Sequence, residues 1–311
     1  MKRIRFHAMG SEITVLLEST AAEAPTWLQA VPGWFEAWEQ ALSRFRPSSE
    51  LNYLNNAGGR PVKVSDPLWQ VLQQAQLAWR FSGGMVMPTL LAPLQAAGYT
   101  QSFEESITWK SNSSTPFEYN FASLDDIQMD SRNQTVCLPP GTGLDLGGIA
   151  KGWAAWQAAM RLSAAGAALV NAGGDIAISD SLPGGQLWPV GVNAPYNRQE
   201  SLEVILVGKG GVATSGRDRR RWQSNGHWRH HIIDPRTGQP AQTDVVSATV
   251  IAPDTMQAET AAKTILLLGS QAGLEWLENH PSLAGLVARE DGAILTTPNF
   301  QNFSGNKYEQ Y

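Results

Sequence analysis

Apolar residues recur at helical spacing in the first half of the chain and gather into short strand-like runs in the second. This grouping constrains the fold most. Trp34, Phe35, Trp38, Leu42 and Phe45 predict a helix over 34–45 that stops at Arg46-Pro47, with a short helix over 50–55 behind it. Ser65-Asp66-Pro67 reads as a helix start, Leu68, Val71, Leu72, Ala75 and Trp79 carry the period, and Gly83-Gly84 closes it. A hairpin is expected over 127–130 and 135–138, then a helix over 149–165. Strand-like runs follow at 168–171, 188–192, 204–207, 231–233 and 245–251. Helices over 256–268 and 271–279 and a hairpin about 289–293 complete the pattern. Because strands and helices are grouped rather than alternating, the expected class is α+β and not a doubly wound parallel sheet. With 311 residues, no internal repeat and no linker, the chain reads as one domain over 1–311, with a surface or disordered loop at about 101–118.

Composition removes several classes. One cysteine, Cys137, cannot form an internal disulfide, and it is expected to be a buried residue. Lys and Arg number 23 against 28 Asp and Glu, a net charge of -5 that argues against general nucleic-acid binding. No run approaches the roughly 20 apolar residues that span a bilayer. The start, Met1-Lys-Arg-Ile-Arg, is not followed by the apolar stretch of a secretory signal, so the expected location is the cytoplasm.

Asp145-Leu-Gly-Gly-Ile-Ala-Lys-Gly-Trp153 is a glycine turn that opens into a helix with a lysine in its first turn. Such a turn can hold a phosphate on backbone N–H groups and the positive helix end, and serves equally as an ordinary tight turn. Asn171-Ala-Gly-Gly-Asp175 allows close approach of a ligand, or simply a hairpin. The run Arg217-Asp-Arg-Arg-Arg221 could meet phosphates, although such runs are usually solvated faces. His227, His230 and His231 lack the spacing of a zinc site. Glu259 and Lys263 stand four apart on one helix face, where a pair is worth a few tenths of a kcal/mol.

Taken in order, these stretches resemble the ApbE family of FAD:protein FMN transferases. The matching segments are His7-Ala-Met-Gly, Leu42-Ser-Arg-Phe-Arg-Pro-Ser-Ser-Glu-Leu51, Ser82-Gly-Gly with Pro88-Thr-Leu-Leu-Ala-Pro-Leu94, and 145–152. Asn171-Ala-Gly-Gly, Ala213-Thr-Ser-Gly, His231-Ile-Ile-Asp-Pro-Arg-Thr-Gly-Gln-Pro240, Val250-Ile-Ala-Pro253 and Leu266-Leu-Leu-Gly269 follow. The resemblance implies an ApbE-like fold of mixed sheets with packed helices and a flavin nucleotide in a central cleft. It implies cleavage of the FAD pyrophosphate with Mg2+, transfer of FMN to a Thr or Ser hydroxyl of a target flavoprotein, and release of AMP. It places Met9, Phe45, Met85, Val86, Met87, Gly148, Lys151, His231 and Ala262 about the flavin nucleotide, with Lys151 and His231 as catalytic positions. Ala150, through its carbonyl, Glu259 and Lys263 fall on the metal positions.

Several positions depart from the family pattern. Glu259 stands for an Asp and Lys263 for a Thr, Phe45 for a frequent Tyr, Met87 and Trp156 for frequent Asp residues, and Asp218 for a common Tyr. A protonated lysine only donates hydrogen bonds and cannot ligate Mg2+. The reading is that the Lys263 ammonium takes the metal's place, held by Glu259, with transfer slowed or lost as a consequence. Alternatives are a flavin-binding protein without transfer, or a nucleic-acid or partner-binding module built on 217–221.

Overall fold

Ile13, Val15 and Leu17 are fully buried and alternate with more accessible residues, so Ser11–Glu18 forms a strand with one face on a core. A computed structural model describes residues 1–22, 24–102, 122–195, 197–218, 220–224 and 227–305. From residue 103 onward, the loop expected over 101–118 lies outside the described residues. The chain divides into two compact units: Met1–Trp34 with Lys151–Arg219 and Gln242–Tyr311, and Phe35–Ala150 with Arg220–Ala241.

The first unit is built on an eight-stranded sheet whose strands lie side by side in chain order, every neighbouring pair antiparallel. These are Lys2–Ala8, Ser11–Glu18, Ala167–Ala172, Asp175–Ile178, Gly210–Gly216, Val245–Ala252, Ala284–Arg289 and Ile294–Thr296. Val245–Ala252 is buried at every position, as is Asp175–Ile178, because both faces of the sheet centre are covered. Ile176, Val212 and Ile251 stand in register across three strands and pack with Trp188, Val190, Ile205 and Val207 of the Trp188–Ala194 and Asn197–Val207 hairpin. Helix Thr255–Leu268 packs on Gly210–Gly216 and Val245–Ala252, its start capped by Asp254, whose side chain accepts from the Gln257 amide.

In the second unit, helix Asp66–Phe81 buries Leu68, Val71, Leu72, Ala75 and Ala78. Ser65 precedes it as expected, yet its hydroxyl and amide donate to Glu50 instead of capping the helix. A three-stranded sheet joins Val62–Lys63, Thr135–Cys137 and Gln128–Asp130. Two small hairpins complete the unit, Arg221–Ser224 with His227–His230 and Ile233–Asp234 with Gln239–Pro240.

Three expectations are corrected. The first helix runs from Ala24 to Leu42 with Pro32 inside it, not over 34–45. Its buried stripe is Leu28, Val31, Phe35, Trp38 and Leu42, a period that starts before Trp34 and outweighs the lost hydrogen bond at proline. No strand covers 231–233: the chain bends at His231 between the two small hairpins, and pairing resumes at Ile233. Cys137 is half-buried, because it sits in a short sheet, and its thiol donates to the Gly59 carbonyl at 3.0 Å. Among the described residues, no helix is long and apolar enough to cross a membrane.

Helix Ser270–Glu278 follows Gly269, whose φ of +90° breaks the preceding helix, and a distant carboxylate ties down its first turn. Asp244 Oδ1 accepts from the Ser270 amide at 2.9 Å, Oδ2 accepts from the Ser270 hydroxyl, and Arg289 Nε lies 3.2 Å away. Burial works against the charged carboxylate, but the Ser270 hydroxyl and amide and Arg289 outweigh it and hold its pKa below the ordinary value. Asp244→Asn is therefore expected to cost about 1 kcal/mol at neutral pH, the typical worth of a helix-end carboxylate bond; the exposed ion pair adds little. The contribution is present above the unfolded pKa of about 3.9 and lost as pH falls through the lower folded value. Urea unfolding of both proteins across that range checks it, with a pH-independent difference as the contrary result.

Candidate functional site

The second unit gathers four aromatic rings around one guanidinium. Arg44 follows helix Ala24–Leu42, and its buried side chain pairs through Nε with Asp145 and donates through Nη2 to the Tyr99 carbonyl at 2.7 Å. Its Cζ lies 4.0 Å from the centre of the Phe45 ring and 4.7 Å from that of Tyr99, within cation–π range. Phe45 meets Tyr99 edge-on at 5.5 Å, Trp222 stacks on Tyr99 at 5.9 Å, and His231 meets its edge at 6.2 Å. Trp222 is fixed by Nε1 donating to the Ala97 carbonyl at 3.0 Å. Phe45 and Met87 are only half-buried, so the cluster keeps an accessible apolar face bordered by the His231 ring. That is the chemistry a planar heteroaromatic ligand needs.

The glycine turn also belongs to this unit. Asp145 Oδ1 accepts from the Gly147 amide at 2.9 Å while Oδ2 takes Arg44, so one carboxylate shapes the turn and holds the guanidinium. Gly148 lies in that turn, and Ala150 opens the helix Ala150–Leu162 with its amide on the Leu146 carbonyl at 2.8 Å. Val86 is buried with its amide on the Ser82 hydroxyl at 2.9 Å, next to Met85 in the segment after Gly84.

In the first unit the titratable residues converge. Lys151, in the first turn of its helix, places Nζ 2.8 Å from Asp175 Oδ2 and 3.5 Å from Glu259 Oε1. Glu259 is 4% exposed and Asp175 5% exposed. Burial raises the pKa of Glu259 and the Asp175 charge adds to the rise, while Lys151, Lys263 and the Gly152 amide act in the opposite sense. Among the described residues nothing donates a hydrogen bond to Glu259 Oε2. Gly152 makes room for this carboxylate, since a Cβ there would stand 2.6 Å from Oε2. Ala262 is fully buried beside Lys263, and Met9, with φ of +54°, forms with Gly10 the turn between the first two strands.

Lys151, Glu259 and Lys263 are thus brought together in one unit, and Phe45, Met87 and His231 in the other. The sequence motifs include Arg44, Asp145 and Asp175 without giving their side chains a role, and leave out Tyr99 and Trp222. For Asp175 a signal existed: Asn171-Ala-Gly-Gly is a hairpin turn, with the Gly174 amide on Asn171 Oδ1 at 2.8 Å, and it delivers a carboxylate to the first position of a fully buried strand. A buried carboxylate needs a cationic partner. The basic run divides: Arg217 is mostly buried and pairs with Glu290 at 3.0 Å, whereas exposed Arg221 stacks on Trp228 at 4.5 Å; Arg219 lies outside the described residues. Of the histidines, His230 accepts from the Ile232 amide through Nδ1 at 3.3 Å and bonds the Ala241 carbonyl through Nε2 at 3.0 Å, which employs both nitrogens.

The donor set does not suit Mg2+. Glu259 is the one acceptor side chain at the positions that the family resemblance assigns to a metal, its charge already faces two ammonium groups, and Lys263 can only donate. Asp175, the other carboxylate, is engaged by Lys151. Among the described residues no group of three or more His, Cys, Asp or Glu side chains is arranged to hold a metal.

Comparison with known proteins gives a consistent set of relatives. The ApbE family model matches residues 9–287. An FAD:protein FMN transferase of Treponema pallidum is 30% identical over 298 residues, covering 91% of this chain and 82% of that protein. One from Haemophilus influenzae is 26% identical, again over 91% and 82%. The crystal structure of the ApbE protein from Thermotoga maritima superposes with a TM-score of 0.86 at 25% identity, covering 97% of this chain and 98% of that one. The apo form of the Pseudomonas stutzeri flavinyl transferase ApbE gives 0.80 at 22%, covering 98% and 96%, a likeness of fold.

Proposed function

Since this chain belongs to the ApbE family, we propose that it is an FAD:protein FMN transferase, moving FMN from FAD to a Thr or Ser hydroxyl of a target protein with release of AMP. The observation that carries this reading is the match to FAD:protein FMN transferases along nine-tenths of the chain. The two clusters support it, each with part of the chemistry that FAD demands. Phe45, Met87 and His231, backed by Tyr99 and Trp222, offer an apolar and aromatic face to the isoalloxazine. Met9, Met85, Val86, Gly148 and Ala262 are assigned to the same nucleotide on the strength of the family pattern. Lys151 offers a half-buried ammonium, held by Asp175 in a fixed position, to the negative pyrophosphate.

In the reaction the target's hydroxyl oxygen bonds to the FMN phosphorus, the bridging P–O bond breaks, and AMP departs with that electron pair while the hydroxyl proton is released. Positioning and charge stabilisation supply most of the acceleration in phosphoryl transfer. A fixed ammonium in a water-poor site contributes to both.

Incubation of the purified chain with FAD and an acceptor protein should release AMP and leave flavin on the acceptor through denaturing electrophoresis, in equal amounts. FAD that binds and stays intact would favour the second reading, a flavin-binding protein without transfer. The lysine at a metal position specifically favours that reading. Absence of FAD binding would overturn both.

A further inference from the structure

We infer that Lys151, Lys263, Asp175 and Glu259 form a charge-balanced cluster that takes the place of a divalent cation, so that this chain binds FAD without Mg2+. The inference rests on the FAD-binding reading for its ligand and on the side chains alone for its cluster.

Two ammonium groups face two carboxylates. Lys151 bridges both acids, at 2.8 Å from Asp175 and 3.5 Å from Glu259. Lys263, one helical turn beyond Glu259, presents a second positive charge to the same carboxylate. The set is neutral, with both carboxylates buried and both lysines half-buried, and a buried carboxylate stays ionised when a cation pairs with it. A divalent cation placed there would meet a donor-only ammonium where it needs an oxygen and would leave two excess positive charges in a low-dielectric site.

The longer side chain of Glu259 is integral to this arrangement. It reaches out from the Thr255–Leu268 helix to Lys151, into space left because Gly152 has no Cβ, which would stand 2.6 Å from Oε2. Glutamate, glycine and lysine are therefore matched across two helices. Gly152 lies in the first turn of Ala150–Leu162, beside Lys151, and so Glu259 shares its space with the helix end that carries the bridging lysine.

Two measurements on the intact chain test this. Without flavin, Mn2+ titrated against the protein and followed by electron paramagnetic resonance should remain free, with no stoichiometric bound fraction. FAD affinity, read from quenching of flavin fluorescence, should agree within about twofold in EDTA and in Mg2+, whereas weakening by about tenfold in EDTA, or one Mn2+ bound per chain, overturns the inference. The Glu259→Asp, Lys263→Thr double variant shortens the carboxylate and exchanges the ammonium for a hydroxyl oxygen, so it should gain both Mn2+ binding and a Mg2+-dependent FAD affinity. Should the variant fold poorly, the wild-type measurements decide alone. If FAD fails to bind under all conditions, the proposed function falls and the Mn2+ titration still decides the cluster. If FAD binds equally with and without Mg2+ but no AMP appears, transfer alone is refuted.

Discussion

Lys151→Met is expected to destabilise the protein by about 3–5 kcal/mol at neutral pH, the cost of removing one partner from a buried ion pair. The ammonium sits 2.8 Å from one buried carboxylate and 3.5 Å from another, so its loss strands Asp175 and leaves Glu259 with the Lys263 charge alone. Methionine keeps the unbranched stem as far as Cε and lacks only the ammonium beyond it, and therefore largely separates charge from packing. The penalty should shrink as pH is lowered, because the pKa of Glu259, already raised by burial, rises further without the lysine and protonation then removes the stranded charge. A carboxyl whose folded pKa lies above its unfolded value disfavours folding at high pH; the penalty starts to fade as pH drops through the folded value and is gone only below the unfolded one. Urea midpoints of both proteins between neutral and mildly acid pH check this, and a difference that stays constant or widens on acidification would refute it. FAD affinity should fall at the same time, since the charge offered to the pyrophosphate is removed.

Gly211→Ala should cost roughly 3 kcal/mol or more, at the upper end for an overpacked core. Gly211 lies in a central strand, paired with Ala252 on one side and Ala177 on the other. A Cβ there would stand 2.3 Å from the Thr255 nitrogen and 2.4 Å from both Asp254 C and Thr255 Cα. All three are backbone atoms, so no side chain can swing aside and the whole start of helix Thr255–Leu268 must lift. Glu259 sits one turn into that helix, and its approach to Lys151 should loosen with it. Gly33→Ala is the matched control: nothing lies within 4 Å of the added carbon, and helix propensity predicts a gain of about 0.5–1 kcal/mol. Thermal and urea unfolding of the pair should therefore move in opposite directions.

Much of the architecture was legible along the chain. The period of Leu68, Val71, Leu72 and Ala75, closed by Gly83-Gly84, marks its helix, because burial on one face imposes the spacing and glycine ends it. Helix Thr255–Leu268 could be read the same way, with Glu259 and Lys263 on one face. The first helix starts earlier than the period counted from Trp34, because Leu28 and Val31 continue the buried stripe back through Pro32.

The ordered motifs from Met9 to Gly269 determined family and fold class, and residue type alone determined that Lys263 cannot be a metal ligand. Only the tertiary structure decided that Glu259 is shared with Lys151, and that Asp175 joins them. In sequence Lys151 is 24 residues from Asp175 and 108 from Glu259, and no local period links a helix start, a hairpin turn and a late helix. Their meeting is set by where the sheet packs each element, and so is the burial of Glu259 and Asp175 that turns an ordinary i, i+4 pair into part of an ion cluster with buried carboxylates.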